Sequence, residues 1–75
     1  MDLMSCSRGL TVRVVEVDVA PDIRLRLREI GLRPGTLARV THTGAFGGRV
    51  IGLGADRFAV DAATCRRIEV ERVQP

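Results

Sequence analysis

Ile23-Arg24-Leu25-Arg26-Leu27-Arg28-Glu29-Ile30-Gly31, followed by Leu32-Arg33-Pro34-Gly35, is the stretch on which the fold turns. Its first half alternates apolar and arginine residues, the period-2 signal of a half-buried strand. Its ends point to a helix instead: Asp22 can cap the N-terminus, and Gly31 can take the left-handed position just past the C-terminus. Ile23, Leu27 and Ile30 also fall at i, i+4 and i+7, on one helical face. Ends and face together outweigh the alternation, and a short helix is expected. It leaves Leu25 on the opposite face, surrounded by Arg24, Arg26 and Arg28. Leu32 to Gly35 then reads as a turn, with Pro34 fixing φ and Gly35 able to take φ > 0.

Strands are expected on both sides. Upstream, Thr11 to Val19 carries Val12, Val14, Val15, Val17 and Val19, a β-branched density typical of a strand. The apolar phase slips between Val14 and Val15, so a bulge or twist is expected there. Ala20-Pro21-Asp22 ends that strand. Downstream, Leu37 to Thr43 reads as a second strand with Ala38 and Val40 on one face. A glycine loop, Gly44-Ala45-Phe46-Gly47-Gly48, leads to a third strand at Arg49 to Leu53. Gly54-Ala55-Asp56 turns into a fourth at Arg57 to Val60. Asp61 can cap one helical turn through Ala62 to Cys65, and Ile68 to Val73 forms a fifth strand. About five short strands and one short α-helix after the first strand make an all-β chain. A compact, partly open barrel leaves the fewest exposed edges.

The length of 75 residues allows one domain, 1–75, with a thin core and with residues 1–8 expected to be flexible. Apolar residues form 45% of the chain, enough for a globular core and against disorder. Phe46 and Phe58 are the only aromatics, so aliphatic side chains must fill the interior. All 12 basic residues are arginine. Without lysine there is no Walker-type phosphate loop, Schiff-base chemistry or lysine general base. No stretch resembles a signal peptide or approaches the length of a membrane span. With two cysteines rather than a bridge framework, the expectation is a soluble cytoplasmic protein without membrane insertion.

The ordered pieces resemble the FeoA family of bacterial ferrous iron uptake. Leu27-Arg28-Glu29-Ile30-Gly31-Leu32-Arg33-Pro34-Gly35 follows that family's helix ending in leucine-glycine-leucine and then proline-glycine. Gly47-Gly48, Arg57-Phe58-Ala59-Val60 and Ile68-Glu69-Val70 follow in the family's order. Leu3, Cys6 and Gly9 occupy its leucine, leucine and glycine positions before the first strand. The resemblance covers nearly the whole chain and implies an SH3-like barrel. Its structural motif here is Gly31, Leu32, Pro34, Gly35, Gly47 and Gly48. Two features depart from it. The prolines common near Ala45 and Arg49 are absent, and Gly52 and Gly54 stand where bulkier residues are usual, which weakens a strand.

What the resemblance implies is a small accessory protein whose partner is the FeoB-type membrane iron permease, through its GTP-binding cytoplasmic region. It acts by docking, as a protein-interaction module. Similar domains end iron-dependent repressors, so a metal-sensing role is one alternative. A nucleic-acid-binding barrel is the other, although tyrosine and tryptophan are absent and no nucleic acid is expected.

Residue by residue, little chemistry is in view. His42 is the lone histidine; by alternation it shares a face with Ala38 and Val40, and it reads as an ordinary, partly exposed residue. Cys6 and Cys65 lack CxxC spacing and read as small core residues, although a Cys6–Cys65–His42 metal site is conceivable. Gly47-Gly48 precedes a strand, so it reads as a hairpin turn and not as a phosphate cradle. No nucleophile–base pair or paired carboxylates can be recognised, so no catalytic residue, cofactor, metal or small-molecule substrate is assigned and no enzyme is expected. The arginines around Leu25 are the composition of a recognition patch. Arg24, Leu25 and Arg28 are therefore the expected partner contacts. Phe46, beside glycines at the loop tip, either folds back onto the barrel or joins that contact surface.

Overall fold

A computed structural model of the chain describes residues 1–73. The expected helix is present as α1 (Pro21–Glu29), but its start differs from the expectation. Ala20 is the N-cap residue, Pro21 opens the helix, and Asp22 lies inside the first turn without a side-chain capping bond. Proline is suited to that place because the N–H it lacks would have no helical partner. Asp22 instead puts its charge near the positive end of the helix dipole.

The helix stops as its sequence requires. Gly31, at φ 95°, sends its N–H to Arg28 O at 3.0 Å, and Leu32 sends its N–H to Leu27 O at 2.8 Å. This pair of bonds is a Schellman motif, and a residue with a Cβ would be strained at Gly31. The apolar pair that accompanies the motif is Leu27 and Leu32, both buried in the core. Ile23 and Ile30 are only partly buried, so the packed stripe is narrow.

Five strands follow the expected order: β1 (Thr11–Val17), β2 (Leu37–Thr43), β3 (Arg49–Leu53), β4 (Asp56–Val60) and β5 (Ile68–Arg72). A short helix α2 (Ala62–Arg66) lies between β4 and β5, and the Asp61 carboxylate accepts its Thr64 N–H. The sheet order is β4-β3-β2-β1-β5, with every neighbouring pair antiparallel. Since β4 and β5 are its two edges, the barrel is open along that seam. This is the partly open, five-stranded SH3-like arrangement.

Two bulges set which side chains face inward. Against β5, β1 shifts register between Val14 and Glu16. The extra residue puts Val15 outside, while Val12, Val14 and Val17 all reach the core. That resolves the phase slip among the valines. The second bulge, between Val40 and His42 on β2, corrects an expectation. Ala38 and Val40 point inward, but His42 pairs with Val50, the outward neighbour of buried Ile51. His42 is therefore exposed on the other face, and its Nδ1 lies 3.1 Å from Thr41 Oγ1.

Residues 1–8 contain a 3-10 turn at Leu3–Ser5, where Asp2 accepts the Ser5 N–H through its carboxylate. Leu3 and Cys6 are buried in the common core. Val70 donates its N–H to Met1 O at 2.8 Å, and Asp2 bridges Glu69, so this segment covers part of the β5 edge.

Candidate partner-binding surface

The four candidate contact residues fall into two patches. Leu25 stands 55% exposed on α1, a large apolar side chain offered to solvent. Arg24 and Arg28, one turn apart, are exposed beside it. Arg24 Nη2 donates to Val19 O at 3.3 Å and so leans back over the start of the helix. The patch is backed by the Leu27–Leu32 pair, which anchors the opposite side of the helix in the core. It joins an apolar centre to guanidinium groups that stack and hydrogen-bond well at interfaces.

Phe46 lies beyond the far end of β2, on the loop to β3, and is 54% exposed. Its ring folds back, but onto its own loop. A Cβ added at Gly44 would lie 1.8 Å from the ring, and one added at Gly48 would lie 2.4 Å from it. At Gly48 the same Cβ would stand 2.2 Å from Val60 O and 3.0 Å from Asp61 Cα. Both glycines thus make room for close approach, of an aromatic ring and, at Gly48, also of neighbouring backbone. The two readings of Phe46 meet in one arrangement: one ring face covers glycine backbone and the rest is open to solvent. The other members of the glycine and proline motif take local roles. Gly47 turns the loop at φ 89°, and Gly35, after Pro34, donates its N–H to Val14 O at 2.8 Å.

Arg49, which the sequence offered only as a strand residue, holds this end of the molecule together. Its Nη1 donates to Gly48 O and its Nη2 to Met4 O, both at 2.9 Å. One guanidinium therefore ties the Phe46 loop to the N-terminal turn. Its Nε is buried and has no partner among the described residues. Nothing in the local pattern signals this, because the bond to Met4 spans 45 residues.

The remaining candidate chemistry is dispersed. Cys65 donates its thiol to Val60 O at 3.5 Å, and burial pushes its pKa up to about 11. Cys6 donates to Asp2 O at 3.4 Å and is raised by burial as well. Both are free thiols that stay protonated near neutrality, which makes them poor nucleophiles and poor ligands. Among the described residues no three His, Cys, Asp or Glu side chains gather closely enough to share a metal ion. The structure therefore does not join Cys6, Cys65 and His42 into one site. No helix among the described residues is long and apolar enough to cross a membrane.

Known proteins share this architecture. The FeoA protein of Chlorobium tepidum superposes with a TM-score of 0.92 at 21% identity, over 99% of this chain and 71% of that one. An iron uptake regulatory protein, also an FeoA, gives 0.87 at 26% identity over 97% of each chain. The zinc-complexed FeoA of Stenotrophomonas maltophilia gives 0.78 at 28% identity, over 95% of this chain and 89% of that one. It is described as a prokaryotic SH3-domain protein and put forward as a ferrous iron transport activating factor. Among curated proteins none matches by sequence. The family model of the FeoA domain matches residues 1–72. With that match over nearly its whole length, on an open five-stranded SH3-like sheet, the chain belongs to the FeoA domain family.

Proposed function

We propose that the chain is a cytoplasmic, non-enzymatic accessory protein of ferrous iron uptake that docks on the cytoplasmic region of a FeoB-type permease. The observation that carries this is the FeoA domain match over residues 1–72, in a family linked to ferrous iron transport. The exposed surface supports a docking role. Leu25 between Arg24 and Arg28 is an apolar anchor with cationic flanks, the composition from which binding hot spots are built. Phe46 adds a second apolar contact, held in place by Gly44, Gly48 and Arg49.

Docking at these residues makes or breaks no covalent bond. It changes the partner through differential affinity for the partner's conformations. Ferrous iron is in this reading the cargo of the permease.

An NMR titration of the labelled chain with the permease's cytoplasmic region tests the proposal. Shifts are expected on α1 and on the Phe46 loop. Leu25→Asp removes the anchor and is expected to abolish them with the thermal midpoint unchanged, because Leu25 is outside the core. Full-strength binding by Leu25→Asp would move the interface elsewhere. No binding by the unaltered chain would refute docking itself.

A further inference from the structure

The outer face of the sheet, which takes no part in the docking surface above, carries a groove of its own. Thr11 pairs with Arg39, Arg39 with Gly52, and Gly52 with Arg57, one row across four strands. Residues paired this way project on the same side. Their sequence neighbours Val12, Ala38 and Ile51 are buried, so this row faces away from the core. Gly52, in the middle, leaves bare backbone. Arg39 and Arg57, two strands apart and so about 10 Å from each other, stand on either side of it.

The resulting trough has a volume of about 850 Å³, and Arg8 and Leu37 extend its walls. Among the described residues its cations form no ion pair. Arg13, on neighbouring β1, pairs with Glu71 at 3.5 Å, whereas Arg8, Arg39 and Arg57 have no carboxylate within ion-pair distance among the described residues. Leu37 is 49% exposed at one end.

We propose that this groove binds an extended acidic peptide segment of a partner protein. Carboxylates of the segment pair with Arg39 and Arg57 across Gly52, and an apolar side chain rests on Leu37. Charge complementarity carries the choice of occupant, since guanidinium groups engage carboxylates through two parallel hydrogen bonds. Spacing supports it. Leu37 and Arg39 alternate along β2 about 7 Å apart, the repeat at which an extended peptide presents side chains to one side. Nucleic acid fits less well. Neither Phe46 nor Phe58 lines the groove, so bases find no stacking platform.

The test is an NMR titration of the labelled full chain with a capped heptapeptide, Thr-Leu-Thr-Glu-Thr-Glu-Ser, at low salt, whose leucine and two glutamates share one side when extended. Shifts are expected at Leu37, Arg39, Gly52 and Arg57. Arg39→Glu or Arg57→Glu should each weaken binding by roughly tenfold. Arg66→Glu, an equal charge change on α2, should leave it unchanged. Gly52→Thr fills the trough with a strand-compatible residue whose Cβ would meet Thr41 Cγ2 at 3.3 Å and Arg39 O at an ordinary contact distance of 3.6 Å. It should lose the peptide while keeping its thermal midpoint. Three results would overturn the proposal: no shifts in the groove, equal weakening by Arg66→Glu and Arg39→Glu, or displacement of the peptide by a tighter-binding oligothymidine. The last would reassign the groove to nucleic acid. None of these outcomes depends on whether the Leu25 patch docks on a permease.

Discussion

The turn from α1 into β2 and the loop from β2 into β3 are both built on glycine, and they work in opposite ways. At the first, Gly31 is needed for its own backbone angle, and the space where its Cβ would stand is empty. The stop there is completed by bonds among Leu27, Arg28, Gly31 and Leu32, all within six consecutive residues. At the second, Gly44 and Gly48 are needed for what lies against them: the Phe46 ring and, at Gly48, the backbone of Val60 and Asp61. Arg49 then fastens that loop to Met4. One turn is a local device and the other a tertiary one. Glycine's two uses, unusual torsion and close approach, are separated in a single small protein.

Substitutions can break this contrast in order of size. Leu32→Ala empties the apolar half of the Schellman turn at a site 1% exposed. It should cost about 2–5 kcal/mol in chemical denaturation, which a domain this small barely survives. Gly48→Ala comes next, because its Cβ would collide with the Val60 carbonyl oxygen, which cannot swing away, as well as with the movable Phe46 ring. A loss of roughly 1–3 kcal/mol is expected, with amide shifts spreading to β4 and α2. Gly31→Ala should cost about 1–2 kcal/mol through the torsion alone, and its shifts should stay within the turn. If Gly31→Ala disturbed β4, or Gly48→Ala left it untouched, the distinction between local and tertiary glycine would collapse.

Two smaller effects sharpen the picture at the second region. Asp61 accepts from Thr64 Oγ1 at 2.6 Å and from Thr64 N–H at 3.1 Å, and these bonds hold its pKa below the usual value. A depressed folded pKa means that the cap stabilises above the unfolded carboxylate range and is lost as pH falls through the folded pKa. Asp61→Ala should therefore cost about 1 kcal/mol near neutrality and progressively less in acid, measured as denaturation midpoints against pH. Gly44→Ala should be the mildest, within about 0.5 kcal/mol, because the obstructing group is the half-exposed Phe46 ring, which can swing away. Its expected signature is a loosened ring, seen in the aromatic NMR signals, and weaker docking wherever Phe46 contributes.

The contrast also explains what could be read in advance. The bounds of β2 and β3, the Val14–Val15 bulge, the Asp61 cap and the helix stop at Gly31 all follow from neighbours in sequence, where propensity and torsion act. The helix start does not: Asp22 looks like a cap, yet Pro21 at the first helical position moves that role to Ala20. The outward turn of His42 depends on a bulge at Thr41 that appears only once β2 lies against β3. Among the candidate contacts, Leu25 with its arginines was legible because a helix with one apolar face must expose whatever stands opposite. The position of the Phe46 ring was not, since it depends on how the whole loop folds to bring the ring against Gly44 and Gly48.

The sequence by itself determined the order of elements, the glycine stop of α1, the aliphatic core and the exposed Leu25, because each is a matter of period, torsion or composition within a few residues. Only the tertiary structure decided that Arg49 clasps Met4, that Gly48 sits against Val60, and that Arg39 and Arg57 flank Gly52 across the outer sheet. Those relations join residues on different strands, and strand pairing and register exist only once the barrel has closed around its core.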